Sequence, residues 1–303
     1  MNIGALRHWG REELLRSGVA SAQLDADLLL ADALGCSREH LMAHGEDEVP
    51  PAHDASYQAA IQRRVAQEPV AYILGKKEFF GIEFKVSPAV LIPRPETELL
   101  VEEALRIFLT LSKDEELLLL DIGTGSGAIL LSVMHAAEEL RKRSGKTLPQ
   151  MYAYGSDISE SALEVARTNA EALRLSDKVD FIQESLLNGF SQEVLHRGTY
   201  AIIIANLPYI SSNEALPKEV VDFEPASALF GGEGGAEIVL DCINQVNRFR
   251  PCSRGCLLLE IGQGQREVLA EKLGNSPGIV FDFIPDLQGI SRVAKINYRE
   301  LCS

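Results

Sequence analysis

Leu117-Leu118-Leu119-Leu120-Asp121-Ile122 runs straight into Gly123-Thr124-Gly125-Ser126-Gly127, and no other stretch restricts the fold as much. Apolar residues around one aspartate read as a buried strand. Glycines at alternate positions then force a tight turn where backbone can approach a ligand closely. Ala128-Ile129-Leu130-Leu131-Ser132-Val133-Met134 continues as a packed helix. Strand, glycine turn and helix together open a nucleotide-type site, with backbone N–H groups and a helix N-terminus facing the ligand.

From that strand onward the pattern repeats. Strands are expected near 117–122, 151–157, 179–183, 199–205, 255–261, 279–284 and 292–298, with helices at 127–141, 159–173, 236–249 and 265–273 between them. Such alternation gives an α/β fold, a mainly parallel sheet with helices on both faces. Only 285–289 separates the last two strands, so they should form a hairpin with one strand antiparallel. The hydrophilic run 141–146 reads as a solvated loop.

The chain before this sheet reads differently. Leu6, Trp9, Leu14 and Leu15 suggest one amphipathic helix, and Ser21 a cap for a second, with Leu24, Leu28, Leu29 and Leu34 inward and Gly35 at its end. Ser37 should cap a third, and Pro50-Pro51 precede a fourth from about 52 to 67. Glu78 to Val86 alternates about a central glycine and reads as a β-hairpin. Arg94, held between Pro93 and Pro95, is a candidate lip for a site. The organisation expected is a helical bundle over 1–75, a hairpin linker over 76–93 and the sheet domain over 94–303.

Composition narrows the function classes. A formal net charge of −15 lacks the basic footprint of wholesale nucleic-acid binding. The start has no signal-peptide pattern and no apolar run reaches membrane-spanning length, so a soluble cytoplasmic protein is expected. Five scattered cysteines, none in a C-x-x-C, predict neither a disulfide framework nor a zinc site. His40 and His44 stand one helical turn apart without a HExxH carboxylate, so no metal is expected there.

In an open α/β sheet ligands sit at the carboxyl ends of the strands. Gly123, Thr124, Gly125, Ser126 and Gly127 end the first strand, Asp157 ends the second, and Asn206-Leu207-Pro208-Tyr209 ends the fourth. An aspartate at Asp157 can accept from both hydroxyls of a ribose. Gly123-x-Gly125-x-x-Ala128 also satisfies the dinucleotide fingerprint, which keeps a nicotinamide oxidoreductase open on these residues. At the fourth strand, the Asn206 side-chain oxygen and the Leu207 carbonyl can both accept from one planar –NH2 group. Pro208 fixes the turn, and Tyr209 offers a flat face to that group. The pocket suits an amide or an exocyclic amine.

The chain resembles the HemK/PrmC family of protein-(glutamine-N5) methyltransferases along nearly its whole length. The resemblance is carried by Glu68-Pro69-Val70-Ala71-Tyr72-Ile73-Leu74-Gly75, Leu91-Ile92-Pro93-Arg94-Pro95-Glu96-Thr97-Glu98, the glycine turn, Asn206-Leu207-Pro208-Tyr209-Ile210, Asp222-Phe223-Glu224-Pro225, Gly231-Gly232-Glu233-Gly234-Gly235 and Glu260-Ile261-Gly262-Gln263-Gly264. It implies a Rossmann-like class I methyltransferase domain behind a small helical bundle that docks peptide-chain release factors. It also implies S-adenosylmethionine as methyl donor and the glutamine of a Gly-Gly-Gln loop as acceptor. Gly123 to Gly127 would then hold the methionine end, Asp157 the ribose, and Asn206, Leu207 and Tyr209 the glutamine amide. Two positions depart from the family pattern. Leu207 replaces a proline, and Ser185 stands where an aspartate usually meets the adenine, leaving Leu186 to pack on the ring. Asn-Leu-Pro-Tyr also resembles adenine methyltransferase motifs, so a nucleic-acid N6-adenine methyltransferase is the principal alternative. A module that binds S-adenosylmethionine without turnover is a further one.

Overall fold

The computed structural model describes residues 1–145, 147–252, 254–274 and 279–299. The chain forms two compact units, Met1–Lys76 with Leu216–Phe223, and Lys77–Ala215 with Glu224–Ser303.

The first unit contains helices Ile3–Arg16, Ala22–Leu34, Arg38–Ala43, Pro51–Val65 and a short Val70–Leu74 that the helical pattern did not announce. Ser37 caps the third helix by accepting from His40 N–H, and Gly35 closes the second in the left-handed region. Ser21 makes no cap; its hydroxyl donates to Asp25 Oδ2 at 2.9 Å. Leu15 and Leu24, expected inside, are exposed, whereas Asp25 and Asp27 are buried. Ion pairs decide this: Arg64 Nε meets Asp25 Oδ2 at 2.8 Å, and Arg7 Nε meets Asp27 Oδ1 at 2.8 Å. Turning the aspartates outward would strand both arginines. Arg64 also reaches Glu219 Oε2 at 3.0 Å, so the distant segment Leu216–Phe223 belongs to this unit. The His40 and His44 rings stack with centroids 4.2 Å apart, and Asp47 lies 3.5 Å from His44, all three exposed.

The second unit takes in the hairpin that the sequence reading set apart as a linker. Strands β1 (Lys76–Phe79) and β2 (Ile82–Lys85) turn through Phe80 and Gly81, both at positive φ, as the tight hairpin turn requires. Phe79 and Phe84 are buried in the sheet's own core with Leu100 and Val101. Asn169 completes the attachment. Its Oδ1 accepts from Lys85 N–H at 2.8 Å, and its Nδ2 donates to Lys85 O at 3.0 Å and to Ser126 O at 2.8 Å. One side chain thus ties the hairpin to the glycine turn.

The sheet comprises β3 (Glu116–Ile122), β4 (Gln150–Asp157), β5 (Val179–Gln183), β6 (Tyr200–Ala205), β7 (Arg254–Glu260), β8 (Ile279–Pro285) and β9 (Ser291–Arg299). Their order is β5-β4-β3-β6-β7-β9-β8, parallel from β5 to β7, with β9 antiparallel to both neighbours. Two apolar layers cover its faces, one with the helices Glu98–Phe108 and Ala128–Ser144, the other with Glu237–Phe249 and Gln265–Gly274. Helix Ala128–Ser144 runs through residues read as a loop; Arg141 and Lys142 pair with Glu138 and Glu139 one turn back, and the helix stops at left-handed Gly145. These pairs support helix on a solvated face. Lys146, at the end of that run, lies outside the described residues. No helix among the described residues is long and apolar enough to cross a membrane.

The chain leaves β3 toward β4 and β5, then returns to β6 and β7 on the other side, which puts the topological switch point between β3 and β6. The register aligns the strand ends there: Ile122 pairs with both Ser156 and Ala205. Everything that follows these residues leaves the sheet at one edge.

Candidate active site

A cleft of about 390 Å³ opens at that edge. Gly123, Thr124, Gly125 and Ser126 line it from β3, Asp157 from β4, Ser185 and Leu186 from the end of β5, and Asn206, Leu207 and Pro208 from β6. Gly127, Tyr209 and Arg94 are not part of the lining.

Thr124 N–H donates to Ser156 O at 2.8 Å, locking the glycine turn to the next strand. Gly123 sits at φ 71, where side chains are strained, and an added Cβ would stand 3.1 Å from Leu207 Cδ2. Gly127 instead serves the helix, since a Cβ there would meet Leu131 at 3.0 Å. Beneath the turn, Thr124 Oγ1 donates to Asp121 Oδ2 at 2.6 Å, while Asp121 Oδ1 is buried without a hydrogen-bond partner among the described residues. Burial drives the Asp121 carboxyl up to about 7.

Asp157 accepts from Gly125 N–H at 2.9 Å through Oδ2 and from Ser159 N–H at 3.0 Å through Oδ1. Burial pushes its pKa up and these N–H groups pull it down. Each oxygen keeps a second lone pair for a donor in the cleft. That arrangement suits two vicinal hydroxyls, and Leu186 with Ile158 and Ile238 supplies an apolar wall. A ribonucleoside-bearing cofactor therefore fits the donors and acceptors present.

Asn206 donates through Nδ2 to Thr97 Oγ1 at 3.1 Å. Its amide oxygen has no hydrogen-bond partner among the described residues, and the residue lines the cleft. Leu207 is buried, its side chain against Gly123. Tyr209 turns away from the cleft: its ring packs on Gly262 and its hydroxyl donates to Glu260 Oε1 at 3.2 Å. Arg94 pairs with the buried Glu224 carboxylate, which also accepts from Ile92 N–H at 3.2 Å. Glu224 thereby pins the proline-bracketed segment that contributes Val90, Leu91 and Pro93 to the lining.

The glycine-rich loop Gly231 to Gly235 braces the turn from behind. A Cβ on Gly231 would stand 2.3 Å from Pro208 O. Gln265 Nε2 donates to Tyr209 O and Gly235 O, each at 3.1 Å.

Residues 5–75 match the PrmC N-terminal domain family, and residues 113–231 match a methyltransferase domain family. Over 284 residues the chain is 39% identical to the release factor glutamine methyltransferase of Bradyrhizobium diazoefficiens, covering 92% of this chain and 89% of that one. It belongs to the release factor glutamine methyltransferase family. The family's Rhodopirellula baltica member is 37% identical over 300 residues, covering 96% and 95% of the two chains. The fold is also that of the hMettl16 catalytic domain, seen in its crystal structure in complex with MAT2A 3'UTR hairpin 1, with a TM-score of 0.52 at 14% identity over 80% of this chain and 82% of that one.

For a member of this family, the sequence reading had assigned no role to Thr97, Asn169, Glu260 or Gln265. Thr97 and Glu260 lay inside quoted motifs, and the clue to Glu260 was a charge closing the wholly apolar run Cys256-Leu257-Leu258-Leu259. Asn169 and Gln265 are polar residues buried within otherwise apolar inward stripes, Asn169 with Ala162, Leu163, Ala166 and Ala170, and Gln265 with Leu269 and Leu273, and no motif marks them.

Proposed function

We propose that this chain transfers a methyl group from S-adenosylmethionine to the side-chain amide nitrogen, N5, of the glutamine in the Gly-Gly-Gln loop of peptide-chain release factors. The carrying observation is Asn206. Its amide nitrogen is committed to Thr97, so its oxygen is left as an acceptor beside the glycine turn. Family membership favours a glutamine amide over an adenine amine as the group received there. The acidic balance of −15 agrees with a protein rather than a nucleic-acid substrate.

S-adenosylmethionine supplies the electrophilic methyl on its sulfonium. Asp157 accepts from the ribose hydroxyls, the 123–127 turn surrounds the methionine end, and Leu186 packs on the base. Asn206 Oδ1 and the Leu207 carbonyl accept the two amide protons of the glutamine. An amide nitrogen is a weak nucleophile because its lone pair is delocalised into the carbonyl. Two fixed acceptors orient the –NH2 and favour a pyramidal nitrogen, so positioning and electrostatics carry the rate without a strong base. Pro208 keeps the turn rigid, Tyr209 anchors its far end, and Arg94 borders the approach through its pair with Glu224. The helical bundle of 1–75 docks the release factor, and the reaction belongs to the cytoplasm, where translation terminates.

The test is methyl transfer from labelled donor to a purified release factor. Incorporation into the wild-type factor and none into a Gln→Ala loop variant supports the reading. Equal incorporation into both, or incorporation into nucleic acid only, overturns it.

A further inference from the structure

His40 lies in the short helix Arg38–Ala43, and His44 is the residue that ends it, one turn further on. Two imidazoles at that spacing share one side of a helix, where both can reach one metal ion. Here the rings do come together, with centroids 4.2 Å apart and planes 23° from parallel. The sequence reading expected no metal at this pair, because no carboxylate accompanies it at HExxH spacing. The fold brings one from beyond the helix.

The turn after His44 carries Asp47 back to the pair. Asp47 N–H donates to His44 O at 3.1 Å, and Asp47 Oδ2 stands 3.5 Å from His44 Nδ1. One ligand atom from each of His40, His44 and Asp47 lies within 4.8 Å of the other two, and among the described residues no other group of three His, Cys, Asp or Glu side chains converges in this way. A tetrahedral ion with bonds of about 2.0–2.2 Å needs its ligands about 3.4 Å apart. Closure therefore asks each side chain to move by about 1 Å, within reach of rotation about χ1 and χ2 for groups exposed to solvent.

The backbone under the three is already fixed. His44 N–H donates to His40 O at 3.0 Å, Asp47 O accepts from Ile3 N–H at 3.0 Å, and Gly45 O accepts from Gly4 N–H at 2.8 Å. Only side chains remain to be ordered. Two imidazole nitrogens and one carboxylate oxygen are a borderline donor set that suits zinc, and three protein ligands leave a fourth position for water.

We infer that His40, His44 and Asp47 form a zinc-binding site in the first unit. Zinc there joins the end of the third helix to the segment 45–49. That segment pairs with the start of the chain through Ile3, Gly4 and Met1, whose carbonyl accepts from Val49 N–H at 3.0 Å. The ion thus clasps the third helix to the first and stabilises the bundle when zinc is present. Every residue lining the cleft belongs to the second unit, so the site stands whatever group the cleft methylates.

The experiment uses the full chain, freed of metal with a chelator and titrated with zinc chloride by calorimetry. Wild type, His40→Ala, His44→Ala and Asp47→Asn are compared, and S-adenosylmethionine binding checks that each variant is folded. Wild type should take up one zinc ion per chain at micromolar concentration. Each histidine variant should bind at least about 10-fold more weakly, and Asp47→Asn should bind more weakly than wild type. Zinc should raise the Tm of wild type and leave that of His44→Ala unchanged, while the donor Kd stays the same in all four proteins. Cobalt(II) in place of zinc should give the visible spectrum of a tetrahedral site in wild type and lose it in His44→Ala. Uptake by wild type only at millimolar zinc overturns the site. Uptake undiminished in both histidine variants also overturns it, since other side chains must then hold the metal.

Discussion

Asp157 holds Gly125 by a 2.9 Å hydrogen bond from the glycine N–H to the carboxylate, so the residue assigned to the ribose also shapes the turn assigned to the methionine end. Asp157→Ala removes both services. S-adenosylmethionine binding should weaken by about 1–3 kcal/mol, the cost of leaving hydroxyl partners unpaired. Asp157→Asn should lie between, since its amide can accept from Gly125 N–H only by opposing its own NH2 to Ser159 N–H. Calorimetry on folded variants checks this, and an unchanged dissociation constant removes Asp157 from the site.

Gly231 leaves no room for a side chain, because a Cβ would lie 2.3 Å from Pro208 O and 2.4 Å from Gly235 O. Gly231→Ala must therefore push the Asn206 to Tyr209 turn or the glycine loop aside. A loss of about 1–3 kcal/mol in stability is expected, with turnover falling more than donor affinity. Urea unfolding alongside single-turnover assays separates the two effects. Full activity in this variant would mean that the turn need not be braced.

Asp121 gives a pH signature. Its folded carboxyl titrates near about 7 against an ordinary 3.8, raised by burial. An acid whose folded pKa is raised contributes stability that is fully present below the unfolded pKa and is lost as pH rises through the folded one. Wild type should thus lose stability relative to Asp121→Asn between pH 5 and pH 8, by about 2–3 kcal/mol at ~1.36 kcal/mol per pH unit below the folded pKa. Chemical denaturation of both proteins at the two pH values measures the difference. A constant gap between them would mean that Asp121 is ionised throughout.

Much of this architecture was legible because it is local. The β3 leucines, the glycine turn and the alternating strands and helices place the switch point without any knowledge of distant contacts. What escaped was set by pairing across the chain. Leu24 reads as core from its helix alone, and the acidic face turns inward because Arg64, 39 positions beyond Asp25, and Arg7, 20 positions before Asp27, pair with it. The run after Glu138 reads as loop because its charges are solvated, yet those charges pair along the helix. At the site, Asn206 announced itself by its motif, but Thr97 stands 109 positions away and Glu260 stands 51 from Tyr209. Periodicity cannot report such distances.

The choice of reaction turns on Asn206. Asn206→Ala deletes the side-chain acceptor and leaves the Leu207 carbonyl in place. It also empties the Thr97 hydroxyl of its donor, without touching Gly125 or Asp157. Donor binding should change little. The acceptor amide loses one of two orienting bonds, so turnover should fall by at least about 10²-fold, the scale seen when one preorganised contact to the reacting group is removed. Leu207→Pro is the companion. Its carbonyl survives and its N–H makes no backbone hydrogen bond to another described residue, so turnover should stay within about threefold of wild type. The buried side chain against Gly123 is trimmed, however, and stability should drop by about 1–2 kcal/mol. Turnover measured with labelled donor, alongside unfolding midpoints, gives the decisive pair. Normal turnover in Asn206→Ala with none in a folded Leu207→Pro would show that the acceptor is held by something other than this amide.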